Sequence, residues 1–278
     1  IGCAKVKQST VGNLNTPSTS STQPSRLTTE GNHAPLNVHK HSARLSWLAN
    51  VKRQHAYQIQ VANSEAVLLS GEPNLWNSGK VISQVSRNIP YAGVKLNSGD
   101  VAFWRVRVWS SNEQKANSPQ SDWSEPAKWE MGLLKKENWQ AQWLQTAAPV
   151  VTEKRHQVTQ WVNLVGTVEK ELGGFETPVI DNLHEMPTAS LFRHEFRSNK
   201  VVVRARLHST AGGYYEVFIN GERVKDRIMD PGQTDFDKRI LYNTDDVSQF
   251  IRQGDNVIGV NLGSGWYDEN IAFSVWKD

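Results

Sequence analysis

The sequence predicts an all-β protein, two antiparallel β-sandwiches in tandem behind a flexible N-terminal linker. Three observations carry that prediction. At 278 residues the chain exceeds one ordinary β-domain and has room for two separate cores. Short runs in which apolar and polar residues alternate recur along most of its length, the pattern of half-buried strands. Helical periodicity is confined to one short stretch, TDDVSQFIRQGDN, where Thr244 or Asp245 is placed to cap the start, Val247, Phe250 and Ile251 to share a face, and Gly254 to end it.

Composition narrows the function classes. Thirty-one Lys and Arg stand against 28 Asp and Glu, for a net charge of +3. They are interspersed rather than blocked, so the electrostatic case for nucleic acid or an acidic membrane surface is weak. Eleven Trp against six Tyr is a high tryptophan load, which suits both sandwich cores and surfaces that stack on the apolar faces of sugars. No apolar run reaches the roughly 18 residues that a membrane helix needs. A single cysteine, Cys3, excludes an internal disulfide and any multi-cysteine zinc site.

Cys3 lies in IGCAK, ahead of a Ser-, Thr-, Asn- and Pro-rich stretch from Gln8 to Glu30 that reads as a linker. An aliphatic residue, a small residue and a cysteine resemble the end of a bacterial lipoprotein signal, where the thiol receives a lipid. Residues 1–33 are therefore expected to form a lipid-anchored tether in the bacterial cell envelope. Ala4, rather than Asp, after the cysteine points to the outer membrane, with the domains facing the periplasm or the surface.

Residues 34–136 form the first predicted sandwich. ARLSW, YQIQVA, LWNSGKV and FWRVRVW alternate, and in the last Trp104, Val106 and Val108 share one face while Phe103, Arg105, Arg107 and Trp109 share the other. Leu45-x-Trp47, the Leu96-x-x-Gly99 turn and the closing SDWSEPAKWEMG resemble fibronectin type III domains. Ala102 stands where such domains often carry a corner tyrosine. The tryptophans of this region are expected to pack in the core or pair across strands.

Residues 137–278 form the second predicted domain, a jelly-roll-like sandwich opening at ENWQAQWLQ and carrying a long irregular insertion at about 146–190. LFRHEF, VVVRARLHST, YYEVFI and NVIGVNLG read as strands. Asn220-Gly221 predicts a type I′ hairpin turn, which requires positive φ at both central residues. In YYEVFI, alternation sends Tyr214 to one face and Tyr215 to the other, one to the core and one toward the surface.

The common catalytic signatures are missing: no G-x-S-x-G, no phosphate-binding loop, no H-E-x-x-H. His39-x-His41 lacks a third ligand and reads as solvated. Asp235 and Asp237, with Asp230 before them, suit turn capping or, alternatively, a calcium ion held by carboxylates. Glu216, Asp226, Asp235, Asp268 and Glu269 fall at predicted strand ends, but spacing marks none of them as an acid–base pair.

GYYEVFINGERVKD, DPGQTDFDKR, YNTDDV and GDNVIGVNLGSGWY, in that order and spacing, resemble the N-terminal β-sandwich module of bacterial α-L-rhamnosidases, which are inverting glycoside hydrolases. WQAQWLQ and LFRHEF fit the module's opening strands, and a fibronectin-like domain is a common neighbour in that family. Gln233 replaces a tryptophan common in the DPG loop, and the insertion is longer than usual. The resemblance implies that the acid and base belong to a helical catalytic domain beyond Asp278. This chain is then an accessory, substrate-orienting front part with no catalytic residue of its own, whose partners are a rhamnose-containing glycan and that domain. Trp266, Tyr267, Asp268, Asn220 and Asp235 are the candidate sugar contacts, an aromatic platform with convergent polar groups; the competing reading is that they brace the sandwich against the helical domain. The alternative is a surface lipoprotein that binds glycans without cleaving them.

Overall fold

The computed structural model describes residues 22–40, 42–110, 120–144, 189–263 and 265. Cys3, His41, the insertion at 146–188 and Trp266, Tyr267 and Asp268 lie outside them. The chain divides into two units, Ile1–Leu134 and Lys135–Asp278.

The first unit has two antiparallel sheets. Strands β1 (Ser25–Thr29), β2 (Arg44–Leu48) and β6 (Ile89–Pro90) make one, in the order β1-β2-β6. In the other, β4 (Trp76–Asn77), β3 (Gln54–Ala62), β7 (Val101–Ser110) and β8 (Ala127–Glu130) follow one another, with β5 (Val81–Ile82) also on β3. β1 lies inside the stretch that composition assigns to the linker, because Leu27 and Thr29 of SRLTT turn inward and are buried. LWNSGKV, predicted as one strand, is two short ones broken where Gly79 takes a positive φ of 62°. A short helix, α1 (Glu65–Leu69), goes unpredicted; it is capped by the Ser64 hydroxyl, which accepts from the Val67 N–H.

Alternation in β7 puts Trp104, Val106 and Val108 into the core, where they meet Leu45, Trp47, Ile59, Val61 and Trp129. Trp47 meets Tyr57 edge-on at 5.2 Å, and Tyr91 meets Trp129 likewise at 5.5 Å. No tyrosine stands at Ala102, but the Tyr91 hydroxyl donates to the Val94 carbonyl at 2.7 Å and ties that corner instead.

β8 covers only Val101–Trp104 of β7. Farther along, SDWS runs beside the strand. Ser124 and Ser121 donate their backbone N–H groups to the Val106 and Val108 carbonyls, both at 2.8 Å. Their hydroxyls accept from the Val106 and Val108 N–H groups, both at 3.0 Å. Replacing Ser124 by alanine strands the Val106 N–H and is expected to lower the stability of this unit by about 1–3 kcal/mol, read from its urea midpoint.

On the outer face of the same sheet the other β7 side chains form a stack. Lys80 Nζ lies 4.7 Å from the Trp109 ring and the Arg107 guanidinium 5.2 Å from it. Arg107 and Arg105 each lie 4.6 Å from the Trp123 ring. Trp123, the tryptophan of SDWS, thus stacks on cations rather than entering the core.

The second unit holds a four-stranded antiparallel sheet ordered β12-β11-β14-β9, from β9 (Ser190–Ser198), β11 (Tyr214–Ile219), β12 (Glu222–Arg223) and β14 (Gly254–Gly263). A two-stranded ribbon pairs β10 (Arg206–Ser209) with β13 (Asn243–Asp246). Ile219, Val224 and Val247 form its core, with Leu207, Val217 and Ile258 packed against them. Asn220 (φ 53°) and Gly221 (φ 87°) make the predicted hairpin turn. Tyr215 is buried and Tyr214 half-buried, as the alternation requires.

Two expectations need correction. Of VVVRARLHST only Arg206–Ser209 pairs as a strand; Val201 and Val203 are 73% and 92% exposed and make no ladder. TDDVSQFI is not a helix: Thr244 and Asp245 belong to β13, and only Ser248–Phe250 forms a 3₁₀ turn. Pairing to β10 outcompetes the local capping tendency of those residues, and the Arg206–Asp246 ion pair at 2.9 Å supports it.

Candidate functional site

The conspicuous polar constellation of the second unit surrounds the DPG loop. Arg227, in the segment after β12, donates from Nη1 and Nη2 to the two Asp245 carboxylate oxygens at 2.9 and 2.8 Å, a bidentate pair. Its Nε donates to Asp230 at 2.6 Å. These carboxylates hold the guanidinium pKa above its ordinary value, the hydrogen bonds it donates to Asp245 outweighing its partial burial. Asp245 points inward because β13 alternates, and its side chain is 5% exposed.

Tyr215 closes the other side. Its hydroxyl donates to the Ser209 carbonyl at 3.0 Å and accepts from Asn243 Nδ2 at 3.1 Å, while its backbone N–H holds the Asp230 carbonyl at 3.1 Å. Burial pushes its pKa up. The peptide between Asp230 and Pro231 is cis. One guanidinium thus bridges two carboxylates. What the clamp does is fix the start of the exposed loop that continues through Gly232 and Gln233.

The predicted site residues distribute as follows. The Asn220 side chain is fully engaged within the fold: Nδ2 donates to the Phe250 carbonyl at 2.8 Å and to Asn256 Oδ1 at 2.9 Å, and Oδ1 accepts from the Val257 N–H at 2.9 Å. Asp235 is exposed on the DPG loop, pairs with Lys238 at 2.6 Å, and its carbonyl accepts from the Lys238 and Arg239 N–H groups. Asp230 and Asp235 therefore answer to different cations, and among the described residues no three His, Cys, Asp or Glu gather as a metal site. Glu216 pairs with Arg223 across the hairpin.

Leading toward Trp266 and Tyr267, the chain makes a close backbone approach. A Cβ on Gly213 would meet the Gly263 carbonyl at 2.1 Å, and one on Gly265 would meet Gly213 Cα at 3.0 Å. Only glycine fits at position 213.

Sequence reasoning missed the residues of the clamp and an aromatic group on the outer face of the ribbon. There Trp139 lies 5.4 Å from Tyr242, and His208 lies 5.9 Å from the same ring. His208 Nδ1 is 2.9 Å from Thr244 Oγ1. The alternation of β13 is a signal for one member of each set, because it sends Asp245 inward and Thr244 to the opposite face.

The fold defines an immunoglobulin-like sandwich followed by a second, smaller antiparallel β-domain. Residues 24–135 match the family described as Rha78A-like, N-terminal immunoglobulin domain, and residues 200–278 match the alpha-L-rhamnosidase N-terminal domain. The chain thus carries the N-terminal domain pair of the α-L-rhamnosidases, a family of glycoside hydrolases. An alpha-L-rhamnosidase of Formosa agariphila is 34% identical over 251 residues, covering 88% of this chain and 24% of the relative. One from Alteromonas sp. is 32% identical over 249 residues, covering 87% and 24%. Among solved structures, the alpha-L-rhamnosidase from Dictyoglumus thermophilum superposes with a TM-score of 0.70 at 33% identity, over 88% of this chain and 25% of that one. That from Aspergillus terreus gives 0.64 at 28% identity, over 90% and 25%. The chain therefore spans about a quarter of the length of the relatives it matches.

Proposed function

We propose that this chain is the accessory, substrate-orienting region of an α-L-rhamnosidase that hydrolyses terminal α-L-rhamnose from glycosides or polysaccharides. The catalytic acid and base lie in the part of the relatives' length that these residues do not span. The paired match to the two N-terminal domain families, in order along one chain, carries the reading. Attachment to the cell envelope through Cys3 belongs to the same proposal and rests on IGCAK and the linker after it.

The purified 278-residue chain is expected to release no rhamnose from an aryl α-L-rhamnoside, and a protein extended to the relatives' full length is expected to release it. Release by the shorter chain alone would overturn the assignment of catalysis to other residues; no release by the longer one would overturn the activity.

A further inference from the structure

The stack on the outer face of β3 and β7 alternates cation and ring through five side chains: Lys80, Trp109, Arg107, Trp123 and Arg105. Its charges are not matched by anions. Arg105 donates from Nε and Nη2 to Gln60 Oε1 at 3.0 and 2.8 Å. Arg107 does the same to Gln58 Oε1 at 3.0 and 2.7 Å. Both acceptors are neutral amides. Among the described residues no carboxylate oxygen lies within 4.0 Å of Arg105, Arg107 or Lys80. Elsewhere in the chain Arg44, Arg206, Arg223 and Arg227 each meet a carboxylate.

Burial pushes the pKa values of Arg105 and Arg107 down, and the charge of Arg107 lowers that of Arg105 further. Arg105 is 8% exposed, and among the described residues its Nη1, like that of Arg107, has no acceptor. A guanidinium with a spare donor, stacked in line with a second guanidinium and beside an exposed ammonium, offers convergent donors to an anion.

We propose that this face binds an anionic group on a glycan chain, a uronate carboxylate or a sulfate ester, through Arg107, Lys80 and the open edge of Arg105. A glycan is favoured over nucleic acid because the strip is short and the chain's net charge is only +3. The inference rests on the glycosidase reading for its class of ligand and extends it: the first domain selects acidic substrates before catalysis.

The test is affinity electrophoresis and calorimetry of the 278-residue chain with polygalacturonate, dextran sulfate and neutral dextran. Binding to one or both acidic polymers and not to neutral dextran is expected, and the two acidic arms separate carboxylate from sulfate. Lys80→Gln and Arg107→Gln should each weaken that binding about tenfold or more, the loss of one charge-assisted hydrogen bond. Lys95→Gln, an exposed lysine outside the stack, should leave it unchanged. Lys80 is exposed, so its variant stays informative even if Arg107→Gln does not fold. The proposal fails if neither acidic polymer binds, if Lys80→Gln binds as tightly as the parent chain, if Lys95→Gln is equally weakened, or if single-stranded DNA binds as tightly. None of these outcomes bears on rhamnose release by the full-length protein, so the two readings fall separately.

Discussion

Replacing Arg227 with methionine is expected to destabilise the second unit by about 3–5 kcal/mol, because it removes the partner of a buried charge. The Asp245 side chain is 5% exposed, and Arg227 supplies both hydrogen bonds shown for its carboxylate. Asp245→Asn should cost less, since the guanidinium it frees is 40% exposed and regains water. The double variant Arg227→Met, Asp245→Leu should recover much of the loss, as apolar replacements of buried ion pairs often do. Urea unfolding of the three variants, with hydrogen exchange at Tyr215 and Val247 locating the change, tests the ordering. An Arg227→Met protein as stable as its parent would mean that the clamp contributes nothing to the fold.

Asn256→Leu is the second large effect. Asn256 is 1% exposed, and all its side-chain hydrogen-bonding groups are satisfied. Nδ2 donates to the carbonyls of Arg252 and Gly254 at 2.8 and 2.9 Å, and Oδ1 accepts from the Arg252 N–H and from Asn220 Nδ2, both at 2.9 Å. Through Asn220 the network reaches the Phe250 carbonyl and the Val257 N–H, so two asparagines stitch the hairpin turn to the loop before β14. Stranding these groups at about 1–3 kcal/mol apiece gives an expected loss of about 4 kcal/mol. Asn256→Asp keeps the acceptor and loses the donors, and should fall between leucine and the parent. Both are read from denaturant midpoints; a leucine variant within about 1 kcal/mol of the parent would show that the turn holds without its stitch.

These expectations involve residues that were unequally legible in the sequence. The alternation of FWRVRVW correctly divided its side chains between the core and the outer face, because a strand's period is local information. What the outer face does was not legible. Trp123 and Lys80 reach Arg107 and Trp109 from other segments, and only the folded sheet brings them together. The Asn220-Gly221 turn was readable because two positive φ values demand particular residues. Asp245 misled because a polar residue ahead of Val247, Phe250 and Ile251 also looks like a helix cap. Its partner Arg227 lies 18 residues upstream, in a loop without a periodic pattern.

The serine strap beside β7 has a consequence for how this protein behaves in company. Half of a ten-residue strand would otherwise present a row of open backbone donors and acceptors to any extended chain that drifted past, the template from which edge-to-edge aggregation grows. Ser121 and Ser124 cap that row with their own backbone and hydroxyls. The segment holding Trp123 in place therefore also keeps neighbouring molecules from zipping onto the sheet, a safeguard of solubility at high local concentration.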